Sequence, residues 1–179
     1  LVVVTPADNP AQIATLQDLT KPGLKLIFAA QAVPVGQYAI DFLDKATADG
    51  SLGADYKDAV IANVVSYEEN VRAVLAKVTL GEADAGIVYT SDVTLDTADQ
   101  VQRIDIPDAL NTIAAYPIGV VSDSANPELA QQFMDYVLSP EGQTVLVNYG
   151  FISTTGDASG AAPSAAPVEV TGLVHIEVK

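Results

Sequence analysis

The sequence predicts an α/β fold with a mainly parallel sheet flanked by helices and with an incomplete second lobe. From residue 1 to about residue 90, short apolar runs typical of strands alternate with helical patterns, as in a parallel sheet with connecting helices. The last two helical patterns, which follow Asn126 and Ser139, stand apart from this alternation. Their separation predicts the second lobe.

The first part of the chain supplies four strands with helices between them. Apolar runs predict the strands at 1–5, 24–30, 60–65 and 85–89. The helical patterns lie near 13–19, from about residue 37 to Gly50, and as a turn near 56–59. The run 24–30 is apolar almost throughout, so we expect this strand to be buried on both faces.

A further helix precedes the strand 85–89. Ser66 and Glu69 have the spacing of a capping box, and Asn70 is an alternative N-cap. Apolar residues at positions 71, 74, 75 and 78 share one helical face, and Gly81 is expected to end the helix. The first amides of a helix have no partner inside it and lie at the positive end of its dipole. An anion fits there without a lysine or arginine, although every αβ unit has such a helix start and ordinary packing stays an alternative.

The rest of the chain predicts weaker strands and two helices. We expect an edge strand over 101–106 and another strand over 113–121, in which Pro117 indicates an edge or a crossing between lobes. Proline at the first position opens each of the two helices. Their predicted inward residues are Leu129, Phe133, Met134 and Val137 in the first helix and Val145, Leu146 and Tyr149 in the second.

These patterns divide the chain into four parts. Residues 1–112 form a ligand-binding α/β lobe that includes a crossover strand at 1–5, and 113–151 hold a second crossover strand and the helices of the other lobe. Residues 152–167 are rich in Ser, Gly, Ala and Pro and predict a flexible linker. Residues 168–179 alternate in polarity and predict a terminal strand.

The charge of the chain excludes several classes of partner. Eight Lys and Arg residues stand against 23 Asp and Glu residues, which gives a formal net charge of −15. So acidic a surface argues against nucleic acid and anionic membranes as partners. An anionic ligand would have to be held locally by amide and hydroxyl dipoles. The chain has no cysteine, so disulfides and thiol chemistry are excluded.

Few residues of the sequence support an enzymatic function. The only histidine, His175, lies in the predicted terminal strand, far in sequence from any partner in a Ser–His–Asp triad. Phosphate-binding and dinucleotide-binding glycine motifs are absent, and so is EF-hand spacing. Asp92 and Asp96 are interpreted as solvated loop acids. We therefore expect a protein that is not an enzyme, with no cofactor and no metal-cation ligands.

Three elements point instead to a ligand at the ends of the strands. The turn that ends in Val35 and Gly36 leads into a helix, and Gly36 would permit close approach of the backbone to a ligand. Val71 starts the second helix, beside Asn70. Tyr89 ends a buried strand and could offer its hydroxyl. In open α/β sheets, ligands bind beyond the carboxyl ends of the strands.

Two neighbours of these residues have simpler interpretations. We expect Tyr38 to be a packing residue with a satisfied hydroxyl. We expect Arg72 to form a salt bridge with Glu68 or Glu69 and to lie outside the direct contacts of a ligand.

The order of motifs along residues 1–151 resembles a known family. The motifs are Val33-Pro34-Val35-Gly36-Gln37-Tyr38, Asn70-Val71-Arg72, Gly81-Glu82-Ala83-Asp84-Ala85-Gly86-Ile87-Val88-Tyr89, Tyr116-Pro117-Ile118, Asn126-Pro127-Glu128-Leu129-Ala130, Leu138-Ser139-Pro140-Glu141-Gly142-Gln143 and Tyr149-Gly150-Phe151. In this combination they resemble the molybdate-binding proteins of bacterial molybdate ABC importers, which have the type II periplasmic-binding-protein fold.

The resemblance implies a site and a role. The family has two α/β lobes joined by two crossover strands and holds molybdate or tungstate between them through neutral donors. On this sequence the donors would be the backbone amides of Val35 and Val71 and the hydroxyl of Tyr89, with Gly36 and Asn70 as weaker candidates. The implied protein is periplasmic or extracellular, and a membrane anchor on an N-terminal segment is one alternative. It delivers the oxyanion to the membrane permease of an ABC importer.

The resemblance also leaves alternatives open. The family has a further N-terminal segment that builds most of the first lobe and supplies serine hydroxyls to the site. We expect that lobe to be completed here by a separate N-terminal fragment or by a second copy of the chain in a dimer, or the C-terminal helices to be covered by the terminal strand. A sensor or scaffold domain outside transport, with weak or lost binding, is the alternative function. The preference among molybdate, tungstate and sulfate is open at this point.

Overall fold

A computed structural model describes residues 1–94 and 96–154, together with the backbone of residues 174–178. The chain forms two compact units, Leu1–Thr112 and Ile113–Lys179. Most of the predicted linker 152–167 and the first half of the predicted terminal strand 168–179 lie outside the described residues. Within the part that is described, no helix is long and apolar enough to cross a membrane.

The first unit is built on a five-stranded sheet with the strand order β3-β2-β4-β1-β5. The strands are β1 (Val2–Pro6), β2 (Leu26–Ala29), β3 (Val64–Glu68), β4 (Ala85–Val88) and β5 (Val101–Asp105). The helices are α1 (Pro34–Asp49), α2 (Tyr56–Ile61) and α3 (Val71–Thr79), with 3-10 turns at Leu16–Thr20, Thr90–Asp92 and Ala98–Gln100. The predicted α/β class is confirmed.

One strand of this sheet, β1, runs opposite to the other four. β2 pairs in parallel with both β3 and β4, whereas β1 runs antiparallel to β4 and β5. The connection from β2 to β3 and the connection from β3 to β4 run in opposite directions across the sheet. Because parallel crossovers are right-handed, α1 and α3 flank opposite faces while both start at the same edge.

The third strand differs from its prediction. The run 60–65 spans the end of α2 and the start of β3, so Val60 lies in a helix and Ser66 lies in a strand. An apolar run by itself does not distinguish a buried helix end from a strand. β3 is an edge strand whose residues alternate between half-buried and exposed, with Val65 and Tyr67 exposed. Ser66 therefore does not cap α3, and Asn70 does.

The start of α1 also differs from its prediction. The helix begins at Pro34 rather than near Gln37, because proline has the φ angle of a helix and its missing N–H costs nothing in the first turn. Val35 and Gly36 therefore belong to the helix. Gly50 ends α1 in the left-handed conformation, as predicted.

The core of the first unit lies on both faces of the sheet. β1, β2 and β4 are buried along their whole length, as the apolar run of β2 predicted. α1 contributes Phe42, Leu43 and Ala46 to this core, and α3 contributes its apolar stripe. Phe42 packs edge-on against Tyr56, with ring centroids 6.2 Å apart. The predicted apolar face of α3 is buried at positions 74, 75 and 78, whereas Val71 is half-buried.

The second unit contains three short strands and two helices among its described residues. Its elements are β6 (Ala114–Ile118), α4 (Pro127–Leu138), α5 (Pro140–Asn148), β7 (Phe151–Ile152) and β8 (Val174–Val178). The strand order is β6-β8-β7, with all pairs antiparallel. β6 is an edge strand, which accounts for Pro117.

The predicted inward faces of α4 and α5 are largely exposed. Met134 is buried, but Leu129, Phe133, Val145 and Tyr149 are exposed by about half or more of their surface. The two helices instead meet at their junction, where a Cβ on Gly142 would lie 2.2 Å from the Tyr136 carbonyl oxygen.

The buried side chain of Asn63 gives a test of the fold. Its Nδ2 donates to the carbonyl oxygens of Leu19 (2.9 Å) and Lys21 (2.8 Å) and so holds the segment before β2. We expect Asn63→Ala to lower the free energy of unfolding by about 1 to 3 kcal/mol, because one buried and one partly buried carbonyl oxygen lose their donor. Urea titration measures this. Gln17→Ala, at an exposed position of the same segment, should change stability by under about 0.5 kcal/mol. Equal effects of the two variants would contradict the structure.

Candidate functional site

Three adjacent parallel strands end at one edge of the first sheet. β2 ends at Ala29, five residues before α1, and β3 ends at Glu68, three residues before α3. Tyr89 follows β4 directly. Because β2 pairs in parallel with both neighbours, these three ends lie side by side. The order reverses between β2 and β4, which is the point where open α/β sheets bind ligands.

The first turn of α1 contains two of the predicted site residues. Val35 is buried, and its amide makes no hydrogen bond to any other residue that the structure describes. The Gly36 amide donates to the Val33 carbonyl (2.9 Å), and a Cβ at Gly36 would lie 2.2 Å from the Ala30 carbonyl oxygen. The close approach at Gly36 is therefore to the chain's own backbone, which accounts for this glycine without a ligand.

The start of α3 resembles that of α1. The Asn70 side chain accepts a hydrogen bond from the Ala73 amide at 3.0 Å and caps the helix. Val71 is the first helical residue and is half-buried. Within the described residues its amide has no hydrogen-bond acceptor. An anion placed here would meet an available N–H and the positive end of the helix dipole.

Tyr89 is the third part of the edge, at the end of β4. Its side chain is 8% exposed, and its ring packs edge-on against Tyr38 in α1, with centroids 6.5 Å apart and planes at 67°. Tyr38 is half-buried and makes the packing contact predicted for it. The Tyr89 ring thus connects the end of β4 to the helix that begins with Pro34.

The salt bridge predicted for Arg72 is wrong. Glu68 accepts hydrogen bonds from Lys77 Nζ and Ser66 Oγ, each at 2.6 Å. These hydrogen bonds hold the pKa of Glu68 below its ordinary value, and the bond from Lys77 contributes more than the bond from Ser66. In the described part of the chain, Arg72 is exposed and forms no salt bridge. Lys77, further along the same helix, pairs with Glu68 instead.

Asp92 differs from its prediction. It is half-buried rather than a solvated loop acid, and burial raises its pKa, an effect that the Tyr89 amide and the charge of Arg72 oppose. The Tyr89 amide donates to Asp92 Oδ2 at 3.0 Å, and the Asp92 amide donates to the Tyr89 carbonyl at 3.1 Å. The spacing of an acid three residues after the strand end was the available signal. Asp96 is exposed, as predicted.

A cavity of about 360 Å³ adjoins this turn. Its lining residues are Arg72, Leu75, Ala76, Thr79, Ser91, Asp92, Thr94 and Thr97. Arg72 and Asp92 are thus both at its wall, between the start of α3 and the turn after β4. The described residues contain no group of three His, Cys, Asp or Glu side chains suited to a metal cation. The side chain of His175 lies outside the described residues.

The first unit is an open α/β sheet, a class of fold that binds small ligands where the strand order reverses. Comparison with known families identifies the family within this class. A profile of the bacterial extracellular solute-binding proteins matches residues 1–152. The chain belongs to this family, whose members bind solutes. The type II periplasmic-binding-protein resemblance drawn from the motifs is thereby confirmed.

Individual relatives agree with this assignment. The chain is 36% identical over 151 residues to the molybdate-binding protein ModA of Mycobacterium tuberculosis, a match that covers 84% of this chain and 53% of the relative. The substrate-binding domain of a putative molybdenum ABC transporter from Clostridium difficile superposes with a TM-score of 0.66 at 27% identity. That match covers 85% of this chain and 62% of the other.

A third comparison concerns the fold alone. The sulfate-binding protein SubI of Mycobacterium tuberculosis superposes with a TM-score of 0.64 at 18% identity, over 87% of this chain and 56% of the other. The chain spans about half the length of the curated relatives it matches.

The Glu68–Lys77 pair makes stability depend on pH. Because the pKa of Glu68 in the folded state lies below its ordinary value of 4.5, the pair stabilises the fold above that pH, and this contribution is lost as pH falls through the lowered pKa. We expect Lys77→Met to be less stable than the parent near neutral pH, and the gap to shrink below pH 4.5. Urea titrations from pH 3 to pH 7 measure it. Lys57→Met, which breaks the more exposed pair with Asp44, should show a smaller gap. A gap for Lys77→Met that stays constant or widens in acid would refute the assignment.

Proposed function

We propose that this chain captures molybdate or tungstate as part of an extracytoplasmic solute-binding protein, which delivers the oxyanion to the membrane permease of an ABC importer. One observation carries the proposal. The starts of α1 and α3 and the side chain of Tyr89 lie at the ends of three adjacent parallel strands, where two backbone amides have no partner among the described residues. The relatives named for molybdate support the choice of ligand.

The chemistry of such a site suits these anions. The amides of Val35 and Val71 and the hydroxyl of Tyr89 are hydrogen-bond donors without formal charge. A fully deprotonated tetrahedral oxyanion offers an acceptor at every oxygen. Phosphate near neutral pH carries a proton that needs an acceptor, so a site made of donors disfavours it. Gly36 and Asn70 support this site by positioning the two helix starts rather than by contact with the ligand.

Neutral donors also fit the charge of the chain. With a formal charge of −15, the protein repels anions at long range, and binding depends on dipoles at short range. Helix N-termini supply such dipoles, and their effect is largest within the first turn. Arg72 is exposed, and its neighbour in the cavity is a carboxylate, so we place Arg72 outside the binding contacts.

A panel of anions tests the ligand directly. Thermal unfolding of the chain is followed with molybdate, tungstate, sulfate, phosphate or buffer alone. A ligand that binds only the native state raises the unfolding temperature, and the rise grows with ligand concentration. We expect a rise with molybdate and tungstate and none with phosphate. A rise with sulfate alone would reassign the ligand, and no rise with any anion would favour a sensor or scaffold domain outside transport.

Single substitutions test the neutral-donor site. We expect Tyr89→Phe to weaken molybdate binding by about 1 to 2 kcal/mol, the scale of one hydrogen bond to a charged group. Arg72→Ala should weaken it much less, because the guanidinium is outside the proposed contacts. Isothermal titration calorimetry of the two variants and the parent measures the difference.

A matched control separates this effect from a general loss of tyrosine. Tyr67 is exposed on the edge strand β3, and Tyr67→Phe should leave binding unchanged. The neutral-donor site would be refuted if Arg72→Ala cost more binding free energy than Tyr89→Phe.

A further inference from the structure

The turn after β4 is closed by two reciprocal hydrogen bonds between the same residues. The Tyr89 amide donates to Asp92 Oδ2 at 3.0 Å, and the Asp92 amide donates to the Tyr89 carbonyl at 3.1 Å. The backbone of Tyr89 is thereby held at φ −78° and ψ 151°. Because the Cα–Cβ direction follows from the backbone, these bonds restrict where the Tyr89 ring can point.

A second contact holds the ring on its other side. The Tyr38 ring, in the first half of α1, packs edge-on against Tyr89 at 6.5 Å. Tyr89 is 8% exposed, so it has little space in which to rotate away. The phenol is therefore held between the Asp92 turn and the helix that begins with Pro34. The position of the Tyr89 hydroxyl relative to the turn is therefore fixed.

We propose that Asp92 is a positioning residue for the oxyanion site, which holds the Tyr89 hydroxyl at a reach suited to a large tetrahedral oxyanion and so sets the preference for molybdate over the smaller sulfate. This inference deepens the function proposed above and rests on it. Asp92 acts through Tyr89 and does not contact the ligand. Specificity is a difference between two affinities, so a fixed donor that fits one anion size contributes to it even when it adds little to total affinity.

Two substitutions at Asp92 separate its position from its charge. Asp92→Asn removes the negative charge but keeps an oxygen that can accept the Tyr89 N–H. Asp92→Ala removes the same charge and the acceptor together. Any effect of relieved repulsion on an anion is common to both variants, so the comparison between them isolates the hydrogen bond. Asp99→Ala, at an exposed position further along the chain, controls for a change in net charge.

The expected binding results follow from this design. By calorimetry, Asp92→Ala should bind molybdate about five- to tenfold more weakly than Asp92→Asn, the scale of one lost hydrogen bond. The ratio of molybdate to sulfate affinity should fall in Asp92→Ala and stay near the parent value in Asp92→Asn. In a Tyr89→Phe background the difference between the two Asp92 variants should largely disappear, since coupled residues are not additive.

A measurement without ligand keeps the inference separate from the proposed function. Nuclear Overhauser contacts between the Tyr38 and Tyr89 rings report the ring position in the free protein. They should persist in Asp92→Asn and weaken in Asp92→Ala, with circular dichroism confirming that both variants are folded. Unchanged ring contacts in Asp92→Ala would overturn the positioning role whether or not molybdate binds. Ring contacts that change while the parent binds no anion would keep the positioning role and overturn the link to oxyanion preference. A parent that binds molybdate, with two Asp92 variants that bind it equally, would overturn the inference and leave the proposed function standing.

Discussion

The parallel pairing of β2 with β3 and β4 is the constraint on which the candidate site depends. Parallel strands need crossover helices, and a helix that follows a parallel strand starts at that strand's carboxyl end. Two such starts and Tyr89 therefore meet at one edge, although 54 residues of sequence separate Val35 from Tyr89. β1 runs opposite to the other strands, and β5, which has the same direction as β4, leads to β6 rather than to a helix.

The acidity of the chain and the nature of the site are consistent with each other. A protein with 23 acidic and eight basic residues cannot attract an anion by its overall field. Arg72 lines, together with Asp92, a cavity that none of the three proposed donors lines, and Lys77 on the same helix pairs with Glu68. Backbone dipoles remain as the local donors. They also suit selection among anions, because donors fixed by a helix start respond to the size and protonation of the ligand.

The second unit shows that a periodic apolar pattern does not by itself determine whether a helix face is buried. The amphipathic patterns of α4 and α5 are real, and both helices form with proline at their first position. Their apolar faces nevertheless stay exposed in the described structure, because a helix buries its stripe only where another layer of structure lies against it. A helical pattern therefore indicates which face would be buried and does not provide the covering layer.

The sequence by itself determined the α/β class, Gly50 as the end of α1 and three buried positions of α3, because these depend on local propensity and on residues three or four positions apart. It left the cap of α3 open between Ser66 and Asn70, and the structure shows that Asn70 caps the helix. It predicted β3 at the wrong position, because the apolar run 60–65 includes both the end of α2 and the start of β3. The partner of Glu68 and the half-buried state of Asp92 came only from the tertiary structure. Both depend on contacts between side chains of different elements. The order of residues in the sequence does not show which of several basic side chains pairs with a given carboxylate.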